Sequence, residues 1–280
     1  MSLDSNSLHA AQVYWNTAAE TYEQDFSGTT IGRTRRHAVW RDLERVFKPG
    51  ERILELSCGT GIDAVFLAGK GIHLVACDIA PRMIELAQDL AAKTALANPP
   101  DFRVLPTENL IALAREDPFD GAFCSFAGLN CVQDLSQVAQ DLGRLLKPSA
   151  HFIACIMGRF VPWEIVWFLG HGRPRRAVMR LREYHTDYAN TTGLTIQRPT
   201  VGQITKQMAP AFRLLGWKGI GITVPPSYAE HLAGRFPKLI DRLAGLDQNI
   251  GHLPLFRNMA DCVLLEFERT SETSANVTSR

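Results

Sequence analysis

The chain has 280 residues, of which 46% are apolar and 21% are charged, and its formal net charge at pH 7 is +1. This length and apolar content allow one large domain with a sizeable core. The near-neutral charge argues against a nucleic-acid partner, because domains that bind polyanions usually carry a strong basic excess. No run of about 20 apolar residues is free of charge, so we expect no integral membrane segment.

The first 48 residues predict two helices. Residues 8–26 predict a helix rich in aromatic side chains. Residues 34–47 predict an amphipathic helix with Val39, Trp40 and Leu43 on one face, and the Pro-Gly pair that follows ends it. We therefore expect residues 1–48 to form a helical segment ahead of the first strand.

Short apolar strands alternate with helices between residues 49 and 157. The predicted strands are residues 52–56, 73–77, 102–105, 119–125 and 152–157, and the predicted helices are residues 63–70, residues 81–97 and the segment that ends at residue 146. Such alternation predicts a parallel sheet with helices on both faces.

The alternation is interrupted by residues 158–200, which contain an aromatic stretch, an arginine cluster and a polar stretch. Strand and helix order resumes in residues 201–269, with predicted helices at residues 201–215 and 228–246 and predicted strands at residues 217–224 and 262–268. The polar tail, residues 270–280, is predicted to be disordered. The predicted fold class is α/β: a Rossmann-like, seven-stranded, mostly parallel sheet with helices on both faces and an insertion after the fifth strand.

A glycine-bearing turn follows the first predicted strand. Gly59 and Gly61 let the backbone approach a ligand that a Cβ atom would displace, and the helix that begins near Asp63 points its amide dipoles toward that ligand. Asp78, at the tip of the second strand, is placed to accept hydrogen bonds from both hydroxyls of a ribose. The pattern predicts a site for a ribose-bearing cofactor at the carboxyl edge of the sheet.

Glu55 favours a cationic nucleoside over a dinucleotide. Its carboxylate lies in the turn, where it would repel the pyrophosphate of a nicotinamide cofactor and attract the ammonium and sulfonium of S-adenosylmethionine. Residues 56–61 also lack the G-x-G-x-x-G pattern expected for a pyrophosphate. The predicted cofactor is therefore S-adenosyl-L-methionine, with S-adenosyl-L-homocysteine as its product.

Five segments resemble the ordered motifs of class I S-adenosylmethionine-dependent methyltransferases. They are Glu55-Leu-Ser-Cys-Gly-Thr-Gly61, Cys77-Asp-Ile-Ala-Pro-Arg-Met83, Thr107-Glu-Asn-Leu110, Phe119-Asp-Gly-Ala-Phe-Cys-Ser-Phe126 and Leu145-Leu-Lys-Pro148. The resemblance covers about residues 50–157 and is strongest to the UbiE-like branch that methylates small molecules.

The resemblance implies a set of cofactor-binding residues and an N-terminal lid over the cofactor, formed by residues 1–48. Tyr22 would contact the carboxylate end of the cofactor, and Arg33 or Arg36 would pair with that carboxylate. The implied cofactor-binding residues are Tyr22, Arg33, Glu55, Ser57, Cys58, Gly59, Gly61, Asp78, Ile79, Met83, Thr107, Glu108, Ser125 and Phe126.

Three positions depart from the family pattern. Ser57 replaces the first glycine of the turn and leaves a hydroxyl for the amino-acid end of the cofactor. Pro106 stands where many relatives carry an aspartate that binds the adenine amine, so backbone groups near Thr107 or the Glu108 side chain would have to serve. Cys131 stands where many relatives carry a histidine, so no catalytic histidine is carried over.

The acceptor site is predicted in the insertion, because the family builds its acceptor pocket there. Phe160, Trp163 and Trp167 have helical spacing and either line that pocket or pack in the core, and they favour a small apolar or aromatic acceptor. No catalytic base is identified. The weak candidates are His171, His185, Tyr184, Asn130 and Glu164.

The arginine cluster of the insertion, between Arg173 and Arg182, has three interpretations. The first interpretation is a solvated helix face. The second is a peripheral contact with an anionic membrane surface, and the third is a binding site for an acidic group of the substrate. Two other functions stay open for the whole chain: a nicotinamide-dependent oxidoreductase and a non-catalytic module that binds S-adenosylmethionine.

The six cysteines lie mostly in apolar stretches, and none form C-x-x-C. They are expected to pack as small buried residues in a reducing cytosol, and no metal site is predicted. The N-terminus lacks a basic-then-apolar signal pattern. The expected location is therefore the cytoplasm, and the oligomeric state is not predicted.

Overall fold

The computed structural model describes residues 5–182, 184–186 and 194–271. Its helices are α1 (Ser5–Ala18), α2 (Thr30–Val46), α3 (Ile62–Ala68), α4 (Pro81–Thr94), α5 (Leu135–Leu145), α6 (Pro162–Gly170), α7 (Pro174–Ala177), α8 (Val201–Met208), α9 (Glu230–Arg235) and α10 (Pro237–Ile250). Its strands are β1 (Arg52–Leu56), β2 (His73–Asp78), β3 (Asp101–Val104), β4 (Phe119–Cys124), β5 (Leu146–Met157), β6 (Tyr184–Thr186), β7 (Thr195–Gln197), β8 (Phe212–Ile220) and β9 (Cys262–Arg269).

The main sheet of the described residues has seven strands in the order β3-β2-β1-β4-β5-β9-β8. The first five strands pair in parallel, and β9 runs antiparallel to both of its neighbours. The predicted Rossmann-like, mostly parallel α/β fold is thus confirmed. Because the strand order reverses between β1 and β4, their carboxyl ends open a crevice in which ligands of such sheets bind.

Helices cover both faces of this sheet. On one face, Leu142 of α5 and Ile204 of α8 join a core that includes Phe152. On the other face, Leu43 of α2 and Leu67 of α3 join a second core. The central strands are buried on both sides, which explains their almost uninterrupted apolar sequences.

Several predicted element boundaries are wrong. The first helix ends at Ala18, and a separate π-helical turn follows at Glu23–Ser27. Helix α8 ends at Met208, because Pro210 disfavours helical geometry in the residue before it, and β8 already begins at Phe212. The helix predicted at residues 228–246 is divided into α9 and α10, which begins at Pro237. Strand β5 starts at Leu146, the last residue of the preceding predicted helix, and not at residue 152, and its pairing with β4 shifts register near that end.

The insertion contains α6, α7 and the short pair β6–β7. The predicted disordered tail lies mostly outside the described residues, which end at residue 271. In the part of the chain that the structure describes, every helix is too short or too polar to traverse a lipid bilayer.

The turn after β1 requires a left-handed backbone. Gly61 precedes α3 with φ 74°, and a Cβ atom there would lie 2.6 Å from the Ala87 Cβ and 2.9 Å from the Phe102 ring. Gly61 therefore serves close packing of α3 against α4 and β3. Gly50 has a similar φ of 87° but open space around it.

Replacing Gly61 with alanine should destabilise the protein more than replacing Gly50. Both changes cost about 1–2 kcal/mol for a left-handed alanine, but only Gly61→Ala adds about 1–3 kcal/mol of overpacking. Urea unfolding of both variants measures the difference. Equal losses of unfolding free energy would contradict the packing role of Gly61.

Candidate functional site

A cleft of about 770 Å³ opens at the carboxyl ends of β1, β2 and β4. The segments that line it come from the N-terminal helices, the turn after β1, the start of α4 and the loops after β3 and β4. Its lining residues are Ala11, Trp15, Tyr22, Arg36, Glu55, Ser57, Cys58, Gly59, Thr60, Asp63, Asp78, Ile79, Met83, Thr107, Glu108, Ser125, Phe126, Gly128, Cys131 and Val132.

Asp78 organises the base of this cleft. Its Oδ2 accepts a hydrogen bond from the Gly59 amide, and its Oδ1 accepts one from the Ala80 amide, both at 2.9 Å. Burial raises the pKa of Asp78, whereas the backbone amides act to lower it. Each carboxylate oxygen keeps a further lone pair, so Asp78 can hold the turn and still accept a hydrogen bond from a ligand.

Glu55 carries an unsatisfied buried oxygen. The residue is 1% exposed, and its Oε2 has no hydrogen-bond partner. Burial, with a further contribution from Asp63, raises the pKa of Glu55 well above its ordinary value, although Arg36 opposes the shift. A buried acceptor without a donor is costly, so this position suits a ligand that brings a cationic donor.

Arg36 and Asp63 form a buried ion pair at the edge of the cleft, with an N–O distance of 2.7 Å. The Trp40 indole donates to the same Asp63 oxygen at 2.6 Å. The Arg36 guanidinium also donates to the Ser27 hydroxyl at 3.2 Å and lies 5.0 Å from the centre of the Phe126 ring. Arg36 is therefore held rigidly in the cleft wall.

Tyr22 lies close to this ion pair. Burial raises the pKa of Tyr22 to about 12, although Arg36 opposes the shift. Its phenol therefore stays protonated near neutral pH and can donate a hydrogen bond to an anionic group of a ligand.

The cleft is lined by more carboxyl groups than cationic groups. Its wall contains the carboxyl groups of Glu55, Asp63, Asp78 and Glu108, and among its described lining residues Arg36 is the sole arginine or lysine. Such a surface attracts a cationic ligand and repels a pyrophosphate.

The loop after β4 has a strained backbone. Phe126 and Ala127 have φ values of 44° and 68°, which non-glycine residues adopt rarely. The neighbouring Ser125 hydroxyl is buried without a hydrogen-bond partner. Strained, unsatisfied groups of this kind are typical of functional sites.

The structure gathers all the predicted cofactor-binding residues in this cleft except Arg33 and Gly61. Arg33 is exposed, and its guanidinium binds the Gly28 carbonyl; Arg36, the alternative, takes the place in the wall. Ser57 has φ 52°, and its hydroxyl lies 3.1 Å from the Thr107 hydroxyl. Ser57 thus contacts the segment predicted to meet adenine, and its contact with the amino-acid end of the cofactor stays a prediction.

The aromatic residues predicted for the acceptor pocket do not line the cleft. Phe160 lines a separate groove, described below. The Trp163 indole donates to the Thr223 carbonyl at 3.0 Å, and its ring is 41% exposed. Trp167 packs on His171 and Tyr228. Trp163 and Trp167 line neither the cleft nor that groove, and their role in binding the acceptor stays a prediction.

Most of the candidate bases are engaged elsewhere. Asn130 is fully buried, accepts a hydrogen bond from the Met157 amide at 2.9 Å and donates one to the Gln197 carbonyl at 2.6 Å. His171 is exposed, and its ring contacts the Trp167 carbonyl. The side chains of Tyr184 and His185 lie outside the described residues.

A large groove of about 1460 Å³ opens beside β5, α8 and β8. Its lining is mostly apolar and has two cations at its rim. The lining residues are Ile156, Met157, Gly158, Arg159, Phe160, Pro199, Thr200, Val201, Gly202, Thr205, Lys206, Ala209, Leu214, Trp217, Asn258 and Val263. Asn130 adjoins both cavities, since its side chain binds the amide of Met157, which lines the groove, and its neighbour in the chain, Cys131, lines the cleft.

A buried ionic network joins α2 to the insertion and β9. Asp261 binds Arg35 at 2.6 Å and Arg180 at 2.9 Å, and Arg180 also binds Glu164 at 2.6 Å. Sequence analysis missed this network, because its four members come from distant segments that no local pattern connects. Glu164, a weak candidate base, is thus a member of a structural ion pair.

Replacing Asp261 with asparagine should destabilise the protein by about 3–5 kcal/mol, because Arg35 and Arg180 would lose their buried counter-ion. Burial alone would raise the pKa of Asp261, but the two arginines hold it below its ordinary value. A depressed pKa means that stability is lost as pH falls below about 4. Urea unfolding between pH 7 and pH 3 should show this loss in the wild type and a smaller one in Asp261→Asn.

The exposed residue Asp101, which pairs with Arg103, provides the control. Asp101→Asn should cost no more than about 1 kcal/mol. If both variants lose the same stability, the network does not contribute as described.

Comparisons with known proteins place the cleft in a known domain. Residues 53–149 match a family described as "Methyltransferase domain". The tRNA 5-carboxymethoxyuridine methyltransferase of Escherichia coli is 30% identical over 135 residues, 47% of this chain and 51% of that protein. The ubiquinone biosynthesis O-methyltransferase of Xylella fastidiosa is 30% identical over 116 residues, 41% of this chain and 46% of that protein. The chain thus spans about half the length of these curated relatives.

Among solved structures, the magnesium protoporphyrin IX methyltransferase of Synechocystis, with bound S-adenosylhomocysteine, matches with a TM-score of 0.56 and 14% identity, over 94% of this chain and 100% of that chain. At this identity the likeness shows the fold alone. Together, the domain match, the relatives and the fold agree with the arrangement of the sheet and the cleft.

Proposed function

We propose that this chain, a class I S-adenosylmethionine-dependent methyltransferase, transfers the methyl group to a small apolar or aromatic acceptor. The observation that carries the proposal is the buried Glu55 carboxyl, whose Oε2 lacks a donor inside a cleft lined mainly by acidic rather than basic side chains. A cationic nucleoside supplies that donor. The same carboxyl disfavours the alternative nicotinamide cofactor, because its pyrophosphate is anionic.

The residues of the cleft fit S-adenosylmethionine from end to end. Glu55 would accept the α-ammonium group, and Arg36 and Tyr22 would meet the carboxylate. Asp78 would accept hydrogen bonds from the ribose hydroxyls. Ile79 and Met83 would contact the adenine, whose edge would face Thr107 and Glu108.

S-adenosylmethionine, when bound, supplies a methyl group on a sulfonium, and the neutral thioether of S-adenosylhomocysteine is a good leaving group. The chain therefore has mainly to align the acceptor and exclude water. Helix α1 is placed to act as a lid: Gln12 donates to the Ile79 carbonyl, and Asn16 accepts from the Arg82 amide at the start of α4. Trp15 and Ala11 of the same helix line the cleft.

The apolar groove beside β5 is the proposed acceptor chamber. It starts at the end of β5, and Asn130 adjoins both this groove and the cofactor cleft. Its rim carries Arg159 and Lys206 and no carboxylate among the described residues, which favours a neutral or anionic acceptor. Phe160 lines it, so this residue keeps its predicted role in acceptor binding.

A small-molecule acceptor is favoured over a nucleic acid by the balanced charge of the chain, +1. The E. coli relative is named for tRNA, so this part of the proposal is open to direct test. We also propose a cytoplasmic location, which is supported by the six free cysteines.

The cofactor assignment predicts proton release on binding. In the free protein the raised pKa of Glu55 keeps its carboxyl protonated to higher pH. A bound ammonium group lowers this pKa, so binding of S-adenosylhomocysteine releases a proton. The affinity for S-adenosylhomocysteine therefore increases as pH rises. Calorimetry in buffers of different ionisation enthalpy should detect the release. Glu55→Gln should bind roughly 10- to 150-fold more weakly, as for a lost hydrogen bond to a charged group, and release fewer protons.

Two results would overturn the cofactor assignment. One is an unchanged affinity of Glu55→Gln for S-adenosylhomocysteine. The other is binding of a nicotinamide dinucleotide with no binding of S-adenosylhomocysteine in the same calorimeter.

The acceptor chamber is tested by filling it. A Cβ atom at Gly202 would meet nothing within 4 Å, and Gly202 lies in α8 on the groove wall. Gly202→Trp should therefore reduce methyl transfer from radiolabelled S-adenosylmethionine to a panel of phenols, hydroquinones and aromatic amines by at least roughly tenfold, as when an acceptor is mispositioned. Its affinity for S-adenosylhomocysteine should not change.

Gly245→Trp is the matched control, since Gly245 also lies in a helix with open space at its Cβ position. Equal activity of Gly202→Trp and Gly245→Trp would place the acceptor elsewhere. Binding of S-adenosylhomocysteine without transfer to any member of the panel would favour the non-catalytic binding module.

A further inference from the structure

Helix α6 exposes an apolar stripe at the surface of the insertion. Trp163, Val166 and Leu169 are 41%, 66% and 54% exposed, and their spacing of three residues places them along one side of the helix. The N–H group of Trp163 is already bonded to the Thr223 carbonyl, so the exposed part of its ring is hydrocarbon. No described residue covers this stripe.

Exposed arginines follow the stripe directly. Arg173, Arg175 and Arg176 lie in and beside α7, and Arg182 lies shortly after it. Among the described residues, none of these four guanidinium groups forms an ion pair. The stripe and these four arginines together are called the cap surface below.

The cap surface has no carboxylate of its own. Residues 158–182 contain one acidic side chain, Glu164. It is 4% exposed and is paired with Arg180 on the inner side of α6. The outer side of the segment is therefore both apolar and purely cationic.

We propose that the cap surface docks on an anionic lipid bilayer. Aliphatic and indole side chains enter the boundary between headgroups and acyl chains, while arginines beside them bind lipid phosphates. The structure favours lipid over RNA, because the two most exposed side chains of the stripe, Val166 and Leu169, cannot stack on bases or bind phosphate. The bilayer would also hold apolar molecules near the groove, a consequence that rests on the proposed function.

The test is co-sedimentation of the full chain with two kinds of vesicle. One kind is phosphatidylcholine alone, and the other contains about 30% phosphatidylglycerol, which gives the surface a strong negative charge. The wild type should bind the anionic vesicles and release them in about 1 M salt, where charges are screened beyond about 3 Å. Arg173→Gln/Arg175→Gln/Arg176→Gln should partition about a hundredfold more weakly, because each lost cation weakens binding about fivefold. Val166→Ser/Leu169→Ser should also bind more weakly, by at least roughly tenfold.

The matched control is Arg41→Gln/Arg115→Gln/Arg144→Gln, which removes the same charge from exposed arginines elsewhere. It should bind vesicles like the wild type. Binding of S-adenosylhomocysteine by every variant separates this test from the cofactor assignment, since no substituted residue lines the cleft.

The proposal is overturned by absence of binding to anionic vesicles, or by equal loss in the cap-surface and control variants. It is also overturned if unmodified tRNA, added in a parallel filter assay, binds through Arg173, Arg175 and Arg176 while the vesicles do not.

Discussion

One buried carboxyl group determines what the cleft can hold. Glu55 lies at the end of the central strand β1, almost fully buried, with an oxygen that no group of the described protein satisfies. Its environment adds negative charge from Asp63 and Asp78 and only partial compensation from Arg36. An apolar ligand or an anion would leave the carboxyl unsatisfied, whereas a cationic donor relieves it. The rest of the cleft, from the glycine turn to Asp78, surrounds this carboxyl group.

Helix α2 connects that requirement to the rest of the molecule. Two consecutive arginines of the helix point in different directions: Arg36 enters the cleft and pairs with Asp63, and Arg35 pairs with Asp261 at the start of β9. Asp261 also binds Arg180 of the insertion. The position of the cleft wall and the position of the insertion therefore both depend on α2. A shift of the cleft wall or of the insertion would disturb buried ion pairs that have few alternative partners.

Much of the cofactor cleft was predictable, because its residues sit at strand ends and tight turns. A parallel sheet brings such ends to one edge whatever the details of packing, so Glu55, Gly59 and Asp78 meet as expected. The choice between Arg33 and Arg36 was not predictable. The two residues are nearly one helical turn apart, and only the direction in which α2 packs decides which of them faces the cleft.

The amino-acid sequence by itself determined the α/β class, the strand and helix alternation up to β5, and the chemistry of the first turn, because these depend on local periodicity and on residues close in the chain. Only the tertiary structure decided how the insertion is arranged. It turned Trp163 outward, formed the groove lined by Phe160, and joined Arg35, Asp261 and Arg180. These arrangements depend on contacts between segments that are distant in the chain. The spacing of side chains along one helix does not predict which of its faces will be buried when most of its faces are apolar.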